Sequence, residues 1–176
     1  MKEIRIHGRG GMGAVSSAQI LAIAAFKDGK ESQAFPFFGV ARRGSPVEAY
    51  CRIDKKCIRM RQQIHRPDYV LILDKSLTDA VDVLNGIKPK GIVIINSAVK
   101  PDLKTDAKIY HVDATKIALD IFGRNLVNTP ILGAFVKATG EISLDSIIKT
   151  IKEKFPPEIA QKNIQAIKLA YEQCRI

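Results

Sequence analysis

The stretch RIHGRGGMGAVSSAQILAIAA, residues 5–25, decides the fold of this chain. Ile4 and Ile6 alternate up to His7, and the glycine-rich run GRGGMG follows at residues 8–13. Beyond it Val15, Ala18, Ile20–Leu21 and Ala24–Ala25 recur at helical spacing, and Gly29 stands where a helix would stop. The pattern predicts a strand at residues 3–7, a glycine turn, and a helix over about 13–28. Gly8, Gly10 and Gly13 fit the G-x-G-x-x-G spacing of a dinucleotide fingerprint, with Gly11 as an extra glycine. The physics of such a turn is general. Glycine lets backbones approach closely, and the helix N-terminus behind it offers unpaired N–H groups and partial positive charge to a phosphate or carboxylate.

A dinucleotide site demands more. An acid about 20 residues on, at the tip of the second strand, has to hold the ribose hydroxyls. Here that tip reads SQAFPFF, residues 32–38, and Glu31 begins the strand instead of ending it. No nearby basic residue adapts the tip to a phosphorylated ribose. A P-loop is excluded because GRGGMGAVSS lacks the G-K-[ST] ending. Three readings stay open: the glycines pack the helix on the sheet, they hold an anion other than a dinucleotide, or they form a contact surface. A stand-alone dinucleotide-binding oxidoreductase is the alternative from a different class.

Working outward, Pro36 should end the second strand or confine it to an edge. VEAYCRID, residues 47–54, alternates as a strand, and CIRMRQQ, residues 57–63, reads as its antiparallel hairpin partner. PDYVLILD, residues 67–74, is almost continuously apolar, as a central strand covered on both faces would be. SLTDAVDVLNG, residues 76–86, reads as a helix capped by Ser76 and ended by Gly86. Strands at 91–97 and 107–113 and helices at 114–123, 128–140, 143–155 and 156–174 complete the pattern. Asp74 and Asp113 end their strands and read as helix caps. This alternation predicts an α/β fold: a three-layer α/β/α sandwich, one domain over residues 1–176, with a mostly parallel sheet and an antiparallel hairpin.

Composition narrows the function classes. The chain has 176 residues, 46% of them hydrophobic, and no apolar run near the roughly 20 residues of a membrane helix. No secretory segment precedes the early glycines, so a cytoplasmic protein is expected. Net charge is +10, but the lysines read as spread along the chain, and only ARRG at 41–44 stands out. Without tryptophan or interleaved aromatics, nucleic acid is not the expected partner. Lysine-rich, glutamine-poor usage hints at a heat-loving source. Cys51, Cys57 and Cys174 show no CxxC spacing, so neither a disulfide framework nor a metal or cluster site is encoded here. His7, His65 and His111 are far apart, and Ser16–Ser17 lack a nucleophile elbow. No nucleophile–base pair emerges, and catalytic residues are expected to be absent.

The loop FPFFGVARRGSPV, residues 35–47, is different. It gathers Phe35, Phe37, Phe38, Arg42 and Arg43, the residue types that protein interfaces concentrate. Two adjacent arginines can also clamp a phosphate.

HGRGGMG, then QAFPFFGVARRGSPVEAYCRI, then RPDYVLILDKSL occur here in the order found in the gamma subunit of 2-oxoacid:ferredoxin oxidoreductases. The resemblance runs from residue 2 to about residue 140 and is most like the pyruvate (pyruvate synthase) members. It implies a complex that converts a 2-oxoacid, coenzyme A and oxidised ferredoxin into acyl-CoA, CO2 and reduced ferredoxin. It implies partner alpha, beta and delta subunits, with thiamine diphosphate between alpha and beta and iron–sulfur clusters on beta and delta. The gamma subunit would itself carry no cofactor, pack on the catalytic subunits and help wall the coenzyme A entrance. On that reading Gly10, Gly11, Gly13, Arg42 and Arg43 meet a coenzyme A phosphate or a partner. Met12 departs from the pattern, since many relatives have glutamine there.

Overall fold

A computed structural model describes residues 1–37 and 43–176. Along the chain run β1 (Lys2–Arg9), α1 (Ala14–Lys27), β2 (Glu31–Phe37), β3 (Pro46–Asp54), β4 (Tyr69–Ile72) and α2 (Leu77–Ala80). They are followed by β5 (Ile92–Asn96), β6 (Lys108–Val112), α3 (Ala114–Phe122), α4 (Pro130–Thr139), α5 (Leu144–Lys154) and α6 (Pro157–Gln173). The strands form one α/β sheet in the order β2-β3-β1-β4-β5-β6. β1, β4, β5 and β6 pair in parallel, and β3 pairs antiparallel with both β1 and β2.

Strand alternation sorts the side chains between two layers. Ile4, Ile6, Leu71 and Ile94 face the larger core, where they meet α1 and α4 residues such as Leu21 and Phe135. Val70, Ile72, Val93 and Ile95 face the other side, covered by Leu77 of α2 and by Val83 and Leu103 from loops. The second outer layer is therefore one short helix and connecting chain. β4 and β5 are apolar on both faces because both faces are covered. Beside them, on β1 and β3, that second face turns polar: Arg5, His7 and Arg52 are all buried there.

Caps follow the expected chemistry in part. The Asp113 carboxylate accepts from the Lys116 N–H at 2.8 Å and so caps α3. Pro130 opens α4 as expected. Thr129, one of the two expected caps, sits at the N-cap but spends its hydroxyl on Asn163 Oδ1, 2.7 Å away on α6. α4 and α6 approach so closely that a Cβ added to Gly133 would stand 2.0 Å from the Ile167 carbonyl oxygen.

Two expectations fail for the same physical reason. Residues 57–63 are not a strand, and the antiparallel partners of β3 are β1 and β2. The backbone carbonyls of that segment face the fully buried Arg52 guanidinium, whose Nη2 donates to Gln62 O at 2.6 Å. The expected helix over 76–86 lasts only from Leu77 to Ala80. The chain turns extended at Val81 (φ −144°, ψ 155°), and the Arg5 guanidinium holds it on that course by donating to Val83 O at 3.1 Å and Asn85 O at 2.6 Å. β2 runs through Pro36 to Phe37 and lies at the sheet edge, where a missing N–H costs nothing. Phe38 and Arg42 of the aromatic–arginine loop lie outside the described residues.

Candidate functional site

β1 delivers the glycine turn to the C-terminal end of the parallel strands, the end where α/β sheets hold ligands. Each glycine there has its own reason. At Gly8 a side chain would press on Leu73 and Ala14 at 3.2 and 3.3 Å, so its absence lets α1 settle against the sheet. Gly13, the N-cap of α1, has φ 84°, and a Cβ on it would meet Asn128 at 2.9 Å. Gly11 also has positive φ, with open space beside it. Packing thus accounts for Gly8 and Gly13 and leaves Gly11 facing open space.

The turn is clasped to the corner that leads into β3. Gly10 N donates to Ser45 O at 2.9 Å, and Gly44 N donates to Gly10 O at 3.1 Å. Arg9 completes the clasp: its guanidinium donates to Asp74 Oδ2 at 2.6 Å, Gly44 O at 3.1 Å and Ser76 Oγ at 2.7 Å. Burial would raise the Asp74 carboxyl, but the hydrogen bonds from Arg9 and Ser76 and the Arg9 charge prevail and hold it below the usual range. Asp74 also accepts from Ser76 N, so it, rather than the expected Ser76, supplies the capping oxygen before α2.

Between the turn and the corner lies an open cleft of about 570 Å³. Gly10, Gly11 and Gly13 line one side with Ala14, Val15 and Ser16 of the first turn of α1. Phe37, Arg43, Val47 and Glu48 line the other. Four of the residues singled out in the sequence, Gly10, Gly11, Gly13 and Arg43, therefore share one cavity; Arg42 is outside the described residues. No side chain caps α1 among the described residues. The cleft combines a helix N-terminus, an exposed arginine and an apolar wall, a combination suited to an anionic group on a partly apolar body. Arg9 and Glu48 went unnoticed in the sequence. Arg9 looked like filler inside the glycine run, and Glu48 like the solvent side of an edge hairpin.

Glu48 is held from behind. The Tyr50 hydroxyl donates to its Oε2 at 2.5 Å. His7 Nδ1 stands 3.6 Å from Oε1, while His7 Nε2 accepts from Arg5 Nε at 3.0 Å. An accepting Nε2 puts the ring proton on Nδ1, facing Glu48. Burial, and then the Arg5 charge, push the His7 pKa down to about 3, so the ring is neutral and its approach to Glu48 is no ion pair. The depressed value has a sign. Between about pH 3 and the unperturbed value near 6.5, the unfolded chain binds a proton that the folded chain refuses. Stability is full above about 6.5 and falls as pH drops through that window. Denaturant titrations at pH 7 and pH 5 should show a lower midpoint at pH 5, with the difference reduced in His7→Gln; an equal difference in both proteins would refute this.

Two of the three cysteines lie buried or half-buried, and Cys57 is exposed. Burial pushes the Cys51 thiol up to about 12 and the Cys174 thiol to about 11. Among the described residues no three His, Cys, Asp or Glu side chains gather where they could hold a metal ion. No helix there is long and apolar enough to cross a membrane. The dinucleotide alternative meets two obstacles: β2 ends at Phe37, not at an acid, and β3 rather than β2 lies beside β1, antiparallel to it.

Comparison with known proteins agrees with this geometry. The family described as pyruvate ferredoxin/flavodoxin oxidoreductase matches residues 3–173. A pyruvate synthase subunit PorC from Methanothermobacter thermautotrophicus is 55% identical over 98% of this chain and 96% of its own length. The pyruvate/ketoisovalerate oxidoreductases common subunit gamma of Pyrococcus furiosus is 52% identical over 100% of this chain and 98% of its own. The crystal structure of pyruvate oxidoreductase subunit PORC from Thermotoga maritima superposes with a TM-score of 0.86 at 38% identity, covering 99% of this chain and 97% of that one. The chain belongs to the pyruvate ferredoxin/flavodoxin oxidoreductase family, as a gamma subunit of a multisubunit pyruvate/2-oxoacid:ferredoxin oxidoreductase.

Proposed function

We propose that this chain is the gamma subunit of a pyruvate:ferredoxin oxidoreductase, which turns pyruvate, coenzyme A and oxidised ferredoxin into acetyl-CoA, CO2 and reduced ferredoxin. Residues 1–176 act as one gamma domain, without catalytic groups of their own. They pack on alpha, beta and delta subunits that carry the thiamine diphosphate and the iron–sulfur clusters. The name pyruvate synthase on a 55% identical relative supports pyruvate as substrate. The Pyrococcus gamma subunit is named as common to pyruvate and ketoisovalerate enzymes. By that precedent, substrate choice lies in another subunit.

One observation carries the role of the cleft: Arg43 and the glycine turn, far apart in sequence, line the same cavity at the helix N-terminus. In this reading Gly10, Gly11 and Gly13 present backbone to a coenzyme A phosphate, and Arg43 with Arg42 supplies its counter-charge. Phe37 and Val47 offer apolar wall to the rest of the cofactor. In the assembled complex, an Arg42→Ala/Arg43→Ala double variant should raise the KM for coenzyme A roughly tenfold, equivalent to about 1.4 kcal/mol, with a smaller change in kcat. An unchanged KM would remove the coenzyme A role. Weakened assembly instead would assign the arginines to a subunit contact.

A further inference from the structure

The reading that only ARRG at 41–44 stands out as a basic run passes over a longer one. Residues 55–66, KKCIRMRQQIHR, leave β3 as irregular chain, with Lys55, Lys56, Arg59, Arg61 and Arg66 all exposed. No acid lies between Asp54 and Asp68. Both flanking acids are already engaged: Asp54 with the Met1 amine at 3.1 Å, and Asp68 with Lys88 at 2.6 Å. Among the described residues none of the five cations takes part in an ion pair.

Such a run repels itself, yet its backbone is fixed from beneath. Arg52, 0% exposed, donates through Nη2 to Gln62 O at 2.6 Å and through Nη1 to Met60 O at 3.5 Å. Its Nε donates to Glu3 at 3.0 Å, and its guanidinium lies 5.2 Å from the Phe35 ring centroid. Ile64, 2% exposed, plugs the end of the segment into the protein. The strip is a pre-formed display of unpaired cations.

Its composition selects the partner. Permanent subunit interfaces have apolar cores depleted in charge, whereas a run of solvated like charges accelerates and orients encounters that form and dissolve. The segment holds no Phe, Tyr or Trp, and His65 alone offers a ring, not the row of aromatic platforms on which successive nucleic-acid bases stack. The fitting surface is a carboxylate-rich protein that comes and goes. In a ferredoxin oxidoreductase, the macromolecule that must arrive and leave with every electron delivered is the carrier. We propose that residues 55–66 are a docking strip for the acidic surface of ferredoxin, orienting it on the complex while the electron leaves from a centre on another subunit. This rests on the functional reading above.

The test uses the assembled oxidoreductase carrying Lys55→Glu, Lys56→Glu, Arg59→Glu and Arg61→Glu together. Turnover is followed with purified ferredoxin and, separately, with a small uncharged dye, at low and high ionic strength. For the wild type, kcat/KM for ferredoxin should fall roughly tenfold from low to high salt. The variant should begin roughly tenfold lower and lose most of that dependence, with dye turnover unchanged. Wild-type ferredoxin kinetics in the variant would overturn the docking role alone. So would failure of the variant complex to assemble, which would place the strip in a permanent contact. A wild-type complex that reduces neither acceptor with any 2-oxoacid would bring down the functional reading and the docking role together.

Discussion

Gly133→Ala is expected to lower the unfolding free energy by about 3 kcal/mol or more, at the upper end of what over-filling a packed site costs. The added methyl would stand 2.0 Å from Ile167 O and 3.0 Å from Tyr171 N. Both are backbone atoms of α6, so no rotamer change relieves the clash and the two helices must separate. That separation pulls on the Thr129–Asn163 hydrogen bond. It also pulls on Asn128, whose carbonyl accepts from Ser17 Oγ at 2.9 Å just behind the glycine turn. Urea titration reads the outcome: a lower midpoint with an unchanged slope. A wild-type midpoint would mean that α4 and α6 are not in backbone contact at Gly133.

Arg52→Met is expected to cost about 3–5 kcal/mol, the range for removing one partner of a buried charged pair. Methionine fills much of the volume, but Glu3 loses the guanidinium 3.0 Å from it, and Gln62 O and Met60 O lose their donor. The damage should be local as well as global. Amide hydrogen exchange across residues 57–63 should quicken more than exchange in β4 or β5. Uniform quickening would show that Arg52 supports the sheet as a whole and does not specifically hold that segment.

Both predictions turn on contacts that sequence patterning does not reveal. Periodicity placed β1, α1, β3, α3, α5 and α6, because each carries an apolar face at regular spacing; α4, buried all round from Pro130 to Val136, was placed by its Thr129–Pro130 start and Gly140 stop. It failed at residues 57–63 and 81–86, where backbone carbonyls accept from a buried arginine side chain, of Arg52 in the first segment and of Arg5 in the second. The charges of Arg5 and Arg52 marked those residues as solvent-facing, although both are buried. Half of the cleft was legible. The glycines declare a turn by their spacing, and Arg43 stood out beside phenylalanines. Arg9 and Glu48 carried no such mark: their roles arise from β3 lying beside β1, a pairing that sequence order does not suggest. Resemblance to known gamma subunits reached the family before any geometry did, since motif order is specific where each motif alone is common.

The two hydrogen bonds that clasp Gly10 to Gly44 and Ser45 have a thermodynamic consequence. A ligand that settles on the glycine turn and a protein that grips the corner before β3 act on one joined piece of backbone. If the first alters the affinity of the second by some factor, linkage requires the second to alter the first by that same factor. Were both contacts made at this corner, subunit assembly and ligand affinity would be one equilibrium read from two ends, and a gamma subunit studied alone would report only the weaker limit of any positive coupling.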